Sequence, residues 1–317
     1  MNWNEAYRSE IELIFEKAAA ETALFPAPLN ELGLALLAKL NPLQSNTGTN
    51  YISFLLPFWL QEQTASPDDL CRDLAIGNVF AMIHFFLIDD VMDAGAGLNK
   101  VDIRESLVLG QLFQGLFQQY YRRHFKADSA LWTYYQAYME DWALAVSQEG
   151  KQPAEPRNPA QLARKSAPVK LCAIGMLLLS EQEERIPDLE EAVELILATL
   201  QLSDDWADWR EDLAEESCNA FLTIVREQIA LPSNLALNEQ RVKQAIYHTN
   251  ALNCLVEIVD NHRQRLSNIT YLPSVLFDFQ EFIRVGLRKE ASDAEEITNK
   301  LASGGGLFYY LSNSTNK

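Results

Sequence analysis

A chain of 317 residues with 26 basic and 44 acidic side chains, a formal net charge of −18 and a pI near 4.6, is repelled by nucleic acid and by anionic membrane surfaces, which argues against both as partners. Its four cysteines, Cys71, Cys172, Cys218 and Cys254, show no CxxC or His-Cys spacing, so they indicate neither a zinc site nor a disulfide framework and fit reduced thiols in a cytosol. The length permits two domains, but no linker divides the chain, and a single domain over 1–317 is expected, with a poorly ordered tail from about 303 to 317.

Apolar residues recur at intervals of three and four almost everywhere, and no convincing period-two strand with a hairpin turn interrupts them. The chain therefore reads as all-α, a single-domain antiparallel bundle of about ten or more helices around a central cavity. The N-terminus has no basic region followed by an apolar one, so no signal peptide is expected. The pattern predicts helices over 4–22, 29–40 and 50–63, then a long one over 68–93 with Ser66 as its cap and Pro67 at its first position. That helix holds the longest apolar run, Leu74 to Ile88, which contains Asn78 and His84 and is too short to span a bilayer. Gly95 and Gly97 stop it just after Asp93. Helices over 101–124 and 128–148 follow, and the Pro-containing stretch from Gln152 to Pro159 reads as a loop because helical periodicity resumes on both sides. The remaining helices are predicted over 159–180, 188–213, 218–230, 238–266 and 274–291.

Two of these helices end in aspartate clusters of one design, Asp89-Asp90-x-x-Asp93 and Asp204-Asp205-x-x-Asp208, with Asp212 four residues further on. Residues i and i+4 lie nearly above one another on a helix, so Asp89 and Asp93 share a face, and Asp204, Asp208 and Asp212 form a row. Like charges at that spacing repel, and these adjoin segments that belong in the core, so a cation should offset them. Carboxylate oxygens with no softer donor nearby suit Mg2+, which keeps some waters and takes further ligands from a substrate phosphate. Below the first cluster lie His84, Phe85 and Phe86, and below the second Leu200 and Leu202. A polar rim over a greasy floor calls for an amphiphilic ligand such as a phosphorylated hydrocarbon. Phe85 and Phe86 are candidates for the floor, with Phe54, Phe58 and Trp59 for either the wall or the general core, and His84 for the core. Between Arg157 and Lys170 stand four cations and no acid, which is either a solvated helix face or an anion site.

The segments Leu87-Ile-Asp-Asp-Val-Met-Asp93, Lys165-Ser166 and Leu200-Gln-Leu-Ser-Asp-Asp-Trp-Ala-Asp208 resemble the first aspartate-rich motif, the Lys-Thr pair and the second aspartate-rich motif of the trans-prenyl diphosphate synthase and class I terpene synthase superfamily. The resemblance covers the chain from about Asn50 to Lys289. It implies a prenyl diphosphate substrate, three Mg2+ ions bound with the diphosphate, and a homodimer. It also implies that Asp89, Asp90, Asp93, Asp204, Asp208 and Asp212 are metal ligands and that Lys165 binds the diphosphate. Gln201 matches the glutamine before the second motif, and Arg288 resembles the basic C-terminal helix; both are expected at the substrate.

The departures matter as much. Chain elongation in this superfamily needs a second, basic pocket for isopentenyl diphosphate, yet the corresponding stretches here, Asn46 to Asn50 and Ala94 to Asn99, hold no cation. The lysine expected in the loop after the second motif is also missing, where Glu216-Ser-Cys-Asn219 stands. What the resemblance therefore implies is a terpene cyclase that ionises one C15 or C20 diphosphate, with prenyl transfer as the alternative.

Overall fold

In the computed structural model, residues 3–44, 50–93, 99–149, 153–232 and 235–300 are described. Among them, every regular element is helical: α1 (Trp3–Ala6), α2 (Arg8–Thr22), α3 (Leu29–Leu40), α4 (Tyr51–Thr64), α5 (Asp68–Asp93), α6 (Lys100–Tyr121), α7 (Leu131–Gln148), α8 (Pro159–Ala163), α9 (Lys170–Leu179), α10 (Ile186–Ala207), α11 (Trp209–Glu215), α12 (Ala220–Gln228), α13 (Glu239–His248), α14 (Ala251–Ser267) and α15 (Ser274–Lys300). Two 3-10 turns, Arg164–Val169 and Glu183–Arg185, join some of them. The chain divides into two compact units, Met1–Tyr138 with Pro168–Leu189, and Met139–Ala167 with Glu190–Lys317.

The first unit is organised on α5, which packs on α2, α4 and, along much of its length, α6. Its interior face is almost wholly apolar: Leu74, Ala75, Ile76, Val79, Phe80 and Ile83 are inaccessible to solvent or nearly so. Close approach of α5 and α6 is set by Gly77, where an added Cβ would lie 3.0 Å from the Tyr121 ring. Tyr121 is fully buried and donates its hydroxyl hydrogen to Asn78 Oδ1 at 2.6 Å, which satisfies a polar atom that would otherwise cost about 1–3 kcal/mol. The stretch Asp68–Met92 is long and apolar enough to cross a membrane by length and composition, but 67% of its most apolar window is buried in protein, as in a core helix. Ser66, expected to cap α5, instead pairs its hydroxyl with that of Thr64 at 2.8 Å.

The second unit is built on α12 to α15, with α14 packed on α15 and on α12. Asp260 of α14 accepts from Arg284 at 2.8 Å and from Arg288 at 2.6 Å, both on α15. Buried His262 of α14 meets the Thr199 hydroxyl of α10 at 3.0 Å. That hydroxyl donates to the Leu195 carbonyl at 2.8 Å, so the imidazole Nδ1 is the donor to Thr199.

Five predicted helices are divided or extended, the first of them, over 4–22, at Tyr7, whose φ of −118° and ψ of 18° leave the helical region. The helix expected over 159–180 is interrupted by the turn Arg164–Val169, because Pro168 has no N–H to donate. The helix over 188–213 bends at Asp208, whose φ of −100° and ψ of 7° leave the helical region. The helix over 238–266 is cut at Asn250, which adopts a left-handed φ of 57° that asparagine tolerates. The last helix continues beyond 291 to Lys300. Residues 94–98, with Gly95 and Gly97, and the tail 303–317 lie outside the described residues.

Candidate active site

The first aspartate cluster occupies the last turn of α5. Asp89 is half-buried and Asp90 exposed, while the side chain of Asp93 lies outside the described residues. Beside this turn, a cavity of about 300 Å³ opens among α3, α4 and α5. Met82, Ile83, Phe86 and Asp90 line it from α5, which is one helix face at intervals of three and four. Tyr51 and Phe54 of α4 and Leu36 and Lys39 of α3 complete much of the wall. This cavity is mainly apolar with Lys39 and Asp90 in its lining, and Phe86 faces it. Phe85 does not line this cavity; it lies edge-on to the His84 ring at 5.1 Å, because successive helical residues point about 100° apart. His84 itself is buried and bonded through Nδ1 to the Gly110 carbonyl at 2.9 Å, and burial holds its pKa below the ordinary value. Phe54 is buried and serves as cavity wall, whereas Trp59 packs against the tilted ring of Trp3 in the core, with centroids 5.2 Å apart.

The second cluster is constructed differently. Although the helix bends at Asp208, the backbone bonds Asp208 N–H to Asp204 O (2.9 Å) and Asp212 N–H to Asp208 O (3.1 Å) both persist, so the i, i+4 row survives the bend. Asp204 and Asp208 are exposed and Asp212 half-buried. Asp205 points the other way: it is buried, accepts the Ala220 backbone N–H at 2.7 Å and the Gln201 amide at 2.8 Å, and so ties α10 to the start of α12. Gln201 thus spends its amide nitrogen on Asp205 rather than on a substrate.

Burial raises the carboxyls of Asp204, Asp205 and Asp212. The Asp204 carboxyl is pushed up to about 7 by loss of solvent and then by the charges of Asp205 and Asp208. Because Asp204 remains exposed along part of its surface, water screens some of that effect. Asp205 is pushed up to about 6 by burial, against the bonds from Gln201 and Ala220 and the pull of Lys165. Asp212 is raised by burial and held back by Asn219 and, again, Lys165.

Lys165 belongs to this group, on the 3-10 turn that Pro168 creates, where its ammonium is paired with Glu149 at the end of α7. Arg288 does not belong to it. Its guanidinium is bound to Asp260 and borders a separate groove with Gln228, Cys254 and Glu257, none of them in the aspartate row. What α15 offers near the second cluster is Glu290, which accepts from the Trp206 indole; residues 288 and 290 are two apart and so point to different sides. Arg157, in the cation-rich stretch, is paired with Glu227 at 2.7 Å.

Two residues of this region escape a motif reading. Asn219 is buried and bonds to Asp205, Asp212 and the first turn of α12. An asparagine directly before Ala220-Phe221-Leu222 is a helix-start signal, though nothing in it points to Asp212. Glu149 carries no sequence signal at all.

The donors fit Mg2+ in kind, since the row holds only carboxylate oxygens and its raised carboxyls would be relieved by a divalent charge. Among the described residues no three Asp, Glu, His or Cys side chains converge on a ready-made metal position. Ions held here would need oxygens from a ligand to complete their shells.

No family model matches the sequence, and neither does any curated protein. Solved structures do. The chain is similar to a decaprenyl diphosphate synthase from Rhodobacter capsulatus at 12% identity and a TM-score of 0.68, over 90% of this chain and 98% of that one. It is also similar to the farnesyl pyrophosphate synthase of T. brucei at 15% identity and a TM-score of 0.59, over 87% and 99%. Likeness of that extent across nearly whole chains fixes the architecture: this chain has the isoprenoid synthase fold.

Proposed function

We propose that this chain is an isoprenoid synthase that ionises a prenyl diphosphate with Mg2+ and transfers the prenyl group to an acceptor. The observation that carries the reading is the second aspartate row: Asp204, Asp208 and Asp212 stay in register across a bend, with Asp205 turned inward and Lys165 beside them. Asp89, Asp90 and Asp93 supply the first set of ligands and Asp204, Asp208 and Asp212 the second. When bound, Mg2+ supplies positive charge that stabilises the departing diphosphate more than the intact ester. Lys165 adds to that effect by leaving Glu149 for the phosphate oxygens. The apolar cavity keeps the hydrocarbon and its developing cation from water, with the aromatic residues Tyr51, Phe54 and Phe86 in its lining.

Prenyl transfer leads because the similar structures are both named prenyl diphosphate synthases. Cyclisation, in which the acceptor is a double bond of the same chain, is the second reading. It is favoured by the absence of any cation from the stretches Asn46 to Asn50 and Ala94 to Asn99. Residues 45–49 and 94–98 lie outside the described residues, so sequence alone supports this point. The test is incubation with linear C10 to C25 diphosphates and Mg2+, with and without isopentenyl diphosphate, followed by mass analysis. A longer linear diphosphate establishes transfer, and a hydrocarbon or alcohol formed without a co-substrate establishes cyclisation. No metal-dependent diphosphate release from any of them overturns both.

A further inference from the structure

The amide of Asn219 has every hydrogen-bonding group engaged. Its Oδ1 accepts the Leu222 N–H at 2.8 Å and so caps α12, while Nδ2 donates to the Asp205 carbonyl at 2.7 Å and to Asp212 Oδ2 at 2.7 Å. The side chain is 3% exposed, so these bonds are not traded for water. Capping needs only a side-chain oxygen, and serine or aspartate supplies one equally well. The two donations from nitrogen are additional to the cap, and they bridge the turn before the bend at Asp208 to the carboxylate after it. Their effect is to pin one oxygen of Asp212 while Oδ1 is left for a ligand.

We infer that Asn219 is a positioning residue that orients Asp212 as a one-oxygen ligand of the second aspartate row. The inference rests on the reading above, in which that row holds Mg2+ with diphosphate. Outer residues that orient a metal ligand typically contribute 10- to 100-fold to metal affinity.

The experiment uses the full-length chain, Mn2+ as a spectroscopic stand-in for Mg2+, and inorganic pyrophosphate, with free Mn2+ read by electron paramagnetic resonance. Asn219→Ser keeps the cap and loses both donations. It should fold with a lowered melting temperature, because the buried Asp205 carbonyl loses its donor, and the folded variant should bind Mn2+ with pyrophosphate about 10-fold more weakly. In an Asp212→Ala background the same substitution should add little. Should Asn219→Ser fail to fold, Asn219→Asp retains the capping oxygen, lacks the donor, and is read in the same way. Unchanged Mn2+ affinity in a folded variant overturns the inference, as does an equal loss in the Asp212→Ala background. Failure of the wild-type chain to bind Mn2+ with pyrophosphate overturns the metal-site reading itself.

Discussion

The two aspartate rows have nearly the same sequence and quite different construction. The first closes a core helix: Asp89 is half-buried, Asp90 is exposed, and the side chains one turn below Asp90 open onto an apolar cavity. The second is braced from behind, with Asp205 buried under α12, Asn219 bonded to Asp212, and α10 anchored through Thr199 to buried His262. A repeated motif therefore does not encode repeated surroundings: the first row borders an apolar cavity within its unit, and the second is tied into α12 within its own.

The largest effect expected separates function from stability in the two rows. Asp89→Asn and Asp204→Asn should each lower Mg2+-dependent diphosphate release by on the order of 10²- to 10³-fold. The second should also alter the pH dependence of metal-free stability. The Asp204 carboxyl titrates at about 7 in the folded chain, above its ordinary 3.8, so its contribution is fully present below pH 3.8 and is lost as pH rises through 7. At pH 8, without metal, Asp204→Asn should melt at a higher temperature than wild type. Equal melting of Asp204→Asn and wild type at pH 8 would show that the Asp204 carboxyl is not raised in the folded chain.

A second effect runs the opposite way with pH. Burial lowers the His262 pKa from 6.5 to about 4, so its contribution is fully present above pH 6.5 and is lost as pH falls toward 4. The difference corresponds to about 3 kcal/mol. Chemical denaturation between pH 7 and 4 should show this loss in the wild type and a flatter profile in His262→Gln.

Next in size is the brace itself. Asp205→Ala strands the buried Ala220 N–H and should cost about 1–3 kcal/mol in urea unfolding at pH 5, where relief of a buried charge is small. Asp90→Ala, at an exposed site, should change stability by less than about 0.5 kcal/mol. The smallest effect on folding with a clear readout concerns Phe86, which is 38% exposed and lines the cavity. Phe86→Ala should deepen the pocket and shift product or substrate length by one isoprene unit, with a stability loss below the ~3–5 kcal/mol of a buried phenylalanine. Phe85→Ala should leave product length unchanged, and a shift there would return Phe85 to the pocket floor.

Much of this protein was legible in its residues because it rests on local chemistry. Apolar spacing of three and four dictates helices, and Asp-Asp-x-x-Asp at a helix end dictates a carboxylate row. The helix ends that escaped were set by single residues: Pro168 withholds an N–H, Asn250 takes a left-handed φ, and Asp208 leaves the helical region. Arg288 read as a substrate cation because its spacing is basic, whereas the tertiary structure gives its charge to Asp260, a residue 28 positions earlier. Phe85 and Phe86 are equivalent in composition, and the packing of α5 against α4, with α3 across the cavity, decides that Phe86 faces it. Asn219 reads as a cap from its neighbours, and only the folded chain brings its amide nitrogen to Asp212. Helical periodicity and charge act over a few residues and can be read along a line. The partner of a buried amide or a guanidinium is chosen by which helices pack together, and that is a property of the whole fold.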